Sequence, residues 1–402
     1  MSTVTAPADG IAKGGWRPAW LERLVGQSVA ILLAVAIALL AGSAIILVYG
    51  ERPGNVYSAI LRYTFSETDG LAYVLAIATP LIFSALAVSV CFKAGLFNIG
   101  VEGQYLVGMV FAAWAAINLD FLPGPTLMWA TIVFGMIGGV AWALIPALLK
   151  VKTGAHEVVT TIMLNGTAAL FVGWALRHPL KYKPPGQNLD VQTAPFPDNA
   201  LVPDLGHLFG FGTGPHLSWL LPLAIVAAAI VWFLLRRMRL GYEARAVGAS
   251  AGSARAGGIS IGGVQIKVFV ISGALAGLVG MQQILADDGN LAQSYEALLG
   301  FTGIAVAFLA RTNPIGIVVA AFLWGMLARG ELALQLETDM PREFIIIFQG
   351  ILILSVVVTY ELSRRRLQAR QLQREGVAEG RLGASSAAGV HAPPEEAGDD
   401  PR

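Results

Sequence analysis

The sequence predicts an all-α polytopic membrane protein with about ten transmembrane helices. Three observations support this prediction: 55% of the 402 residues are hydrophobic, only 13% are charged, and several segments reach the roughly 20 apolar residues that cross a bilayer. Globular domains carry about 25% charged residues. The low charge content and the long apolar segments place the protein in the lipid bilayer. The net charge of +1 gives no basic field that would favour nucleic acid.

Ten spans account for the apolar segments: residues 28–49, 71–91, 103–118, 126–149, 158–177, 218–235, 264–285, 299–310, 314–329 and 342–361. The third, eighth and ninth are shorter than a comfortable crossing. With a cytoplasmic N-terminus, the basic residues concentrate in the inside loops and the tail, at Lys93, Lys150, Lys152, Arg236, Arg237, Arg239, Arg245, Arg255, Arg311, Arg364, Arg365 and Arg366. The positive-inside rule therefore predicts that both termini are cytoplasmic.

The segments around the spans differ in composition. Residues 1–27 include "GGWRPAWLERLVGQ", which predicts a cytoplasmic segment with an interfacial helix, and the first span is expected to be an uncleaved anchor. The transmembrane domain covers 28–361. Within it, the proline-rich residues 178–217 predict a long external loop, and 236–262 form the longest cytoplasmic segment. Residues 362–402 lose apolar periodicity and predict a disordered cytoplasmic tail.

The ten spans divide as five plus five, and an odd number per half gives the second half the opposite orientation. The second span of each half is followed by a glycine-interrupted stretch, "KAGLFNIGVEGQ" at 93–104 and "DDGNLAQSYEALLGFTG" at 287–303. Paired interruptions of this kind are typical of inverted repeats whose broken helices line a midplane pathway. We therefore predict a 5+5 inverted repeat with broken or re-entrant segments near 93–104 and 287–303.

The common catalytic signatures are missing from the sequence. "HEVVT" at 156–160 begins like a zinc-protease helix, but Thr160 stands where the second histidine is required. "GASAG" at 248–252 matches the nucleophile-elbow pattern without a preceding strand. The five histidines are scattered, and no glycine is followed by lysine, which excludes a Walker A loop. The sequence thus predicts a protein that is not an enzyme, with no catalytic residue, metal or cofactor in this chain.

The cytoplasmic segment 236–262 begins with arginines and continues as "EARAVGASAGSARAGG", whose alanines favour a short helix. A surface of alanine and glycine permits close approach by a partner. An arginine anchor followed by a flexible turn is the alternative, but a simple turn needs only a few residues. We therefore predict a short helix that a cytoplasmic subunit binds.

"GYEARAVGASAGSARAGGISI" at 241–261 resembles the coupling-loop motif of ABC importer permeases, in which a short helix docks on the ATPase. "KAGLFNIGVEGQYLVG" at 93–108 looks like the signature of one branch, the permeases for nucleosides and simple sugars within the branched-chain amino acid and ribose permease superfamily. "HEVVTTIMLNGTA" at 156–168 and "GFTGIAVAFLARTNPIG" at 300–316 are similar to two further blocks of that branch.

The resemblance implies a transport subunit that forms the pathway of an importer and has no ATPase site of its own. The implied partners are an ABC ATPase subunit, which hydrolyses the ATP, a second permease copy or homologous permease, and an extracytoplasmic solute-binding lipoprotein. The implied location is the bacterial cytoplasmic membrane, with multiple spans. The family pattern carries onto the coupling residues Glu243, Arg245, Ala246, Gly248 and Gly257.

Polar and aromatic residues near the breaks are the candidates for a solute pathway: Asn98, Glu102, Gln104, Thr161, Asn165, Thr302 and Phe97. A buried amide in a span either lines a hydrated pathway or bonds to a neighbouring helix, and both interpretations stay open. Glu102 has three candidate roles: lining the pathway, capping a half-helix amide, or pairing with Lys93. Capping or structural pairing is favoured over solute contact, because a helix that begins near Val101 places Glu102 in its first turn, where the helix dipole favours an anion.

Two rival functions remain. An ion-coupled secondary transporter of a small polar solute usually needs a buried ionisable residue, for which Glu102 is the main candidate. A membrane enzyme or scaffold has no credible catalytic set. The ABC permease is the function that we expect.

Overall fold

The structure is a computed structural model that describes residues 19–66, 69–183, 191–206, 217–338, 340–341, 343–359, 362 and 365. Its α-helices are α1 Ala19–Val48, α2 Pro53–Phe65, α3 Gly70–Lys93, α4 Val101–Asn118, α5 Pro125–Thr153, α6 Glu157–Arg177, α7 Leu220–Arg237, α8 Arg239–Ala249, α9 Ala251–Ala256, α10 Ile261–Ala276, α11 Leu299–Leu309, α12 Pro314–Glu337 and α13 Glu343–Thr359. A 3₁₀ turn covers Asp198–Ala200, and a π-helix covers Gln282–Asp287.

Residues 41–353 form one compact unit, and the described parts of 1–40 and 354–402 belong to a second. The predicted interfacial helix lies partly outside the described residues, and residues 19–27 are the start of the continuous helix α1. Apart from 362 and 365, the predicted tail at 362–402 also lies outside them. The all-α prediction is confirmed, since the described residues are mostly helical and pair as strands only in two isolated bridges.

Five helices of the described chain are long and apolar enough to cross a membrane: α3, α5, α6, α7 and α12. The bent pair formed by residues 33–48 and α2 counts as a sixth, while α10, α11 and α13 are apolar but shorter. The predicted second to sixth spans have boundaries close to those of α3, α4, α5, α6 and α7, while the first span at 28–49 matches the end of α1 but not its start at Ala19. The number of ten spans and the inverted repeat stay predictions.

Two predicted spans need correction, and one helix has no predicted counterpart. The ninth span, predicted at 314–329, is the 24-residue helix α12, which extends to Glu337 because "ARGELALQLE" remains helix-forming after the apolar run ends. The seventh, predicted as one span at 264–285, is broken: α10 ends at Ala276, and turns lead into the π-helix. Helix α2 lies outside all ten predicted spans. It begins with a proline at its first position, where the helix does not need a backbone N–H.

Helix α3 lies in the core of the unit formed by residues 41–353, and 89% of its most apolar 18 residues are buried. It packs against α7, α10, α11 and α12, and its end at Lys93 brings the 94–100 break into contact with these neighbours. A central helix that ends inside the fold must satisfy its terminal carbonyls within the protein. The position of α3 therefore determines where the candidate site forms.

Glycines allow α4, α5 and α10 to pack at backbone distance. A Cβ on Gly108 of α4 would lie 2.9 Å from the carbonyl oxygen of Gly135 in α5 and 3.0 Å from the Cα of Gly277, directly after α10. A Cβ on Gly273 of α10 would lie 2.7 Å from the carbonyl oxygen of Gly139. The sequences "GMIGG" (135–139) and "GALAG" (273–277) predict such close packing, and the structure confirms it.

Candidate translocation and coupling site

The chain between α3 and α4 is a seven-residue break, as the sequence predicts. Gly95 has a φ of +71°, a left-handed conformation that favours glycine, and α4 restarts at Val101. Asn98 and Gln104 exchange amide hydrogen bonds of 3.1 Å in both directions. The Asn98 Oδ1 also accepts from the Gly100 N–H at 3.0 Å. Two side chains thus replace hydrogen bonds that a continuous helix would supply.

Neighbouring helices hold the same break. The Asn98 Nδ2 donates to the Ser272 Oγ of α10 at 2.9 Å, and Asn98 is only 1% exposed. Asn165 of α6 accepts from the Gly103 N–H at 2.9 Å and donates to the Ile99 carbonyl oxygen at 3.1 Å. Asn165 therefore satisfies one freed donor and one freed acceptor of the backbone, a role that its apolar surroundings make energetically important.

Glu102 caps the start of a different helix from its own. Its Oε1 accepts from the Leu298 N–H at 2.7 Å, and its Oε2 accepts from the Gly300 N–H at 2.8 Å. The Tyr105 hydroxyl donates to Oε1 at 3.1 Å. These bonds place a buried carboxylate at the N-terminus of α11, where the helix dipole stabilises an anion. Of the three predicted roles of Glu102, this geometry corresponds to the capping of a half-helix amide.

Lys93, which the sequence offers as one alternative partner of Glu102, is hydrogen-bonded to the turn after α11. The Lys93 Nζ donates to the Thr312 Oγ1 at 2.7 Å, and the Ser89 Oγ donates to the Thr312 carbonyl oxygen at 3.0 Å. Thr312 lies in the turn between α11 and α12. The end of α3 is therefore bonded to the far end of the same helix that Glu102 caps.

The remaining pathway candidates lie close to the break: Thr161 packs against Gly100, Phe97 belongs to the break, and Thr302 belongs to α11. Thr161 is fully buried and donates to the Glu157 carbonyl oxygen of its own helix at 2.8 Å. Phe97 is half-buried and stacks on Phe308 of α11, with ring centroids 5.9 Å apart. Thr302 is half-buried in the first turn of α11. Contact of any of these residues with a solute stays a prediction.

The second predicted break, 287–303, meets the predicted external loop. Residues 191–202 run along it, with backbone N–H groups of Thr193, Phe196 and Val202 donating to the carbonyl oxygens of Leu291, Gly289 and Leu285 at 2.8–2.9 Å. The described part of the 178–217 loop is therefore fastened to the segment that leads into α11. The sequence gives no sign of this pairing, because neither segment has an alternating strand pattern.

The predicted coupling segment forms two short helices, α8 and α9. Glu243 of α8 is buried, and its Oε1 accepts from the Arg239 Nε at 2.6 Å. The Arg245 guanidinium donates to the Leu235 carbonyl oxygen near the end of α7. Ala246 is half-buried, whereas Gly257 ends α9 and is exposed. The two charged residues assigned to coupling thus have partners inside this chain.

Tyr242 of this segment is a further candidate that the sequence motifs do not single out. It is 64% exposed and lines a groove of about 540 Å³ between α8 and α9, together with Ala246, Ser250 and Ser253. A large exposed aromatic ring beside small residues is a common feature of protein interfaces. Its position directly before Glu243, on the opposite face of α8 from the buried residues, is the sequence signal that identifies it.

Most of this chain matches a protein-family model. The model describes the permease component of branched-chain amino acid transport systems, and residues 70–357 match it. The chain belongs to this permease family. The observation confirms the family that the four sequence blocks indicate, and the protein is a transport component of the membrane.

Three curated relatives agree with the assignment. The guanosine ABC transporter permease NupP of Bacillus subtilis is 34% identical over 342 residues, which cover 82% of this chain and 93% of the relative. The glucose permease TsgB13 of Haloferax volcanii is 32% identical, with 87% and 91% covered. The nucleoside permease NupB of Lactococcus lactis is 30% identical, with 82% and 90% covered. The protein is an ABC transporter permease, and the ion-coupled alternative receives no support.

Proposed function

We propose that this ABC permease imports nucleosides, with simple sugars as the second candidate class. The observation that carries the proposal is the similarity, over about four fifths of the chain, to permeases named for guanosine and for nucleosides. The similarity to a glucose permease supports the second class. Both classes present a ring and hydroxyl groups, so the pathway must offer both ring contacts and polar groups.

Stacked aromatic side chains of α5 and α6 support a ring-bearing solute. Phe171 stacks on Trp142 and on Trp174, with ring centroids 6.2 and 5.7 Å apart, and Trp174 stacks on His178 at 5.7 Å. The Trp142 Nε1 is buried without a hydrogen-bond partner among the described residues. Trp174 is half exposed, and a planar base stacks favourably on such a ring.

The exposed face of α6 supports a pathway between two permease copies. It carries Met163, Gly166, Leu170 and Trp174 at helical spacing, and Gly166 has open space where a Cβ would lie. Lipid-facing surfaces carry bulky apolar side chains, as on the exposed face of α7 with Val226, Ile230 and Phe233. The gap at Gly166 and the adjacent Thr167 distinguish α6 and fit a partner or a hydrated path.

In this proposal the buried polar residues hold the pathway rather than line it. Asn98, Glu102, Gln104 and Asn165 use their polar atoms on backbone and side-chain partners. Phe97 and Thr302 are less buried and are the members of the predicted set that remain accessible to a solute. Solute contact is therefore assigned to the α6 face and these two residues.

The partners follow from the permease assignment. An ABC ATPase subunit hydrolyses ATP and binds α8 and α9 through the surface around Tyr242. A solute-binding lipoprotein delivers cargo to the face that carries the 178–217 loop. The protein lies in the cytoplasmic membrane with both termini on the cytoplasmic side. The basic residues of the loops assigned to that side favour this orientation.

The substrate class is tested with the complete transporter in proteoliposomes, supplied with ATP and its binding protein. We expect uptake of labelled guanosine that unlabelled adenosine or cytidine inhibits more strongly than glucose does. Stronger inhibition by glucose would replace the nucleoside with the sugar. Uptake without ATP that an uncoupler abolishes would contradict the permease assignment itself.

A further inference from the structure

The end of α8 touches the break between α3 and α4 through two glycines. A Cβ added to Gly248 would collide with the Lys93 carbonyl oxygen and lie 3.0 Å from the Gly95 nitrogen. A Cβ added to Gly95 would lie 3.2 Å from the Cα of Gly248. The two backbones therefore meet without side chains between them, and displacement of one pushes directly on the other.

Helix α8 is fixed to the rest of the chain at its other end as well. Gly241 lies against the Leu234 and Leu235 carbonyl oxygens of α7, where a Cβ would collide with both. Between α7 and α8 the backbone of Met238 is extended, with φ −93° and ψ 154°, so the two helices do not form one rigid rod. A force applied to α8 can therefore rotate the helix about the extended residue Met238 and press Gly248 against the break.

Residues of the break next to Gly95 contact three further helices, so a displacement of the break reaches them directly. Two residues after Gly95, Phe97 stacks on Phe308 of α11. Asn98 follows and is bonded to Ser272 of α10 and to Gln104 of α4. Three helices of the core thus connect to the segment that Gly248 contacts.

We propose that the Gly95–Gly248 contact is the junction through which movement of α8 reaches the break and the helices around it. The inference rests on the proposed function, in which an ATPase subunit binds α8 and α9. Gly95 and Gly248 are then positioning residues: they touch neither solute nor ATP, and they set how much of each ATPase cycle reaches the pathway.

The first test replaces Gly248 with alanine in the complete transporter, with Gly350→Ala as the matched control. Gly350 also lies in a helix, α13, outside the proposed ATPase-binding segment, and it has nothing within 4 Å of an added Cβ. The measurements are the amount of co-purifying ATPase, its basal ATP hydrolysis and the solute uptake per ATP. We expect the uptake per ATP to fall about tenfold in Gly248→Ala, within the usual range of coupling free energies. Gly350→Ala should match the wild type in all three measurements.

A second test approaches the junction from the break. Gly95→Ala adds a Cβ at a φ of +71°, and Gly154→Ala adds one at the same φ with nothing within 4 Å. Both variants place an alanine at the same left-handed φ, so Gly154→Ala controls for that strain and a difference between them reports the contact with Gly248. We expect reduced uptake per ATP in Gly95→Ala only, and this milder variant decides the question if Gly248→Ala does not fold.

Three results would overturn the inference. One is wild-type uptake per ATP in Gly95→Ala. Another is loss of the ATPase subunit from Gly248→Ala alone, which would assign Gly248 to the ATPase surface. A wild-type chain that binds no ATPase would remove the proposed function and this inference together, whereas the first two results leave the proposed function intact.

Discussion

Both carboxylate oxygens of Glu102 accept hydrogen bonds. Oε1 accepts from Leu298 and Tyr105, and Oε2 accepts from Gly300. In Glu102→Gln the negative charge at the start of α11 is lost, and an amide NH₂ must replace one acceptor oxygen. A buried N–H without an acceptor costs about 1–3 kcal/mol. We expect a lower melting temperature of the detergent-solubilised permease.

Asp120→Asn is the control for that variant, because Asp120 is an exposed carboxylate in a turn. Its melting temperature should equal that of the wild type. Guanosine uptake by the Glu102→Gln complex, measured below its melting temperature, should keep the wild-type KM. A normal melting temperature together with loss of solute binding would instead make Glu102 a solute ligand.

Asn165 offers a second test at this scale. Asn165→Leu leaves the Gly103 N–H and the Ile99 carbonyl oxygen without their present partner, at about 1–3 kcal/mol for each group. We expect a larger loss of stability than in Thr167→Val, which changes an exposed polar residue on the same helix. Equal melting temperatures of the two variants would show that water or another group replaces Asn165.

The sequence reveals the chemistry of these residues better than their partners. Glycines and amides in "KAGLFNIGVEGQ" predict a broken helix, and the first-turn position of Glu102 predicts a cap. The donors lie almost 200 positions away, at Leu298 and Gly300, and no local pattern connects them to Glu102. Ser272, which bonds to Asn98, lies in the apolar helix α10, and nothing in its local sequence indicates a partner. These partners are brought together by the tertiary fold, which local sequence patterns do not predict.

At the scale of the element, α8 separates residues that shape the helix from residues that face outward. Glu243 and Arg245 bond within the chain, whereas Tyr242 is exposed. We expect Tyr242→Ala to leave the melting temperature of the isolated permease unchanged and to reduce the ATPase that co-purifies with it. Aromatic residues that act as interface hot spots cost about 2 kcal/mol or more when truncated.

Arg245→Ala is the contrasting variant, because it removes a donor to the Leu235 carbonyl oxygen. It should lower the melting temperature as well as the amount of bound ATPase. If Tyr242→Ala retains the full amount of ATPase, the partner surface lies elsewhere on the segment.

The π-helix ends in a carboxyl group that responds to pH. Burial among neighbouring groups raises the pKa of Asp287 to about 7, Gln282 opposes this by donating a hydrogen bond, and Asp288 and Glu296 add to it. Since the pKa in the folded chain lies above the ordinary value, its stabilising contribution is complete below about pH 4 and is lost as the pH rises through about 7. The melting temperature should therefore fall between about pH 4 and about pH 7 and level off above that.

Asp287→Asn cannot ionise and should flatten that dependence. Asp198→Asn, an exposed carboxylate in the predicted external segment, should leave it unchanged. Burial also raises the pKa of Glu296, with Asp288 adding to the shift, so part of the dependence remains in Asp287→Asn. An identical pH profile in wild type and Asp287→Asn would rule out this source.

Element boundaries show the limits of hydropathy. Apolar runs locate α3, α5, α6 and α7 well, because each run ends at a charge or a glycine. Hydropathy misses the end of α12, where polar helix formers continue the helix, and the interruption after α10, where the residues stay apolar while the hydrogen-bond pattern changes. Helix α2 mixes polar and apolar residues, so its average hydropathy resembles that of a loop.

At the scale of the whole molecule, the proposed function places the α6 face between two permease copies, and cross-linking tests that placement. In a twofold dimer, equivalent residues near the axis approach one another. Gly166→Cys and Leu170→Cys should therefore form disulfide-linked dimers in native membranes under mild oxidation. The native Cys91 is buried and should contribute little background.

Phe233→Cys on the exposed face of α7 is the control and should cross-link far less. Comparable cross-linking at both faces would indicate random collisions in the bilayer. Cross-linking at α7 alone would move the interface away from the proposed pathway.

Helix α11 has left-handed residues other than glycine at both ends: Leu298 with φ 71° before it, and Arg311 and Thr312 with φ 55° and 54° after it. Each such residue costs about 1–2 kcal/mol, which surrounding bonds must hold. Glu102 holds one end, and Lys93 with Ser89 holds the other. The bonds at the two ends therefore hold strained backbone in place on either side of α11. If the bonds at one end break, relaxation of the left-handed residues there offsets part of the free energy that those bonds contribute.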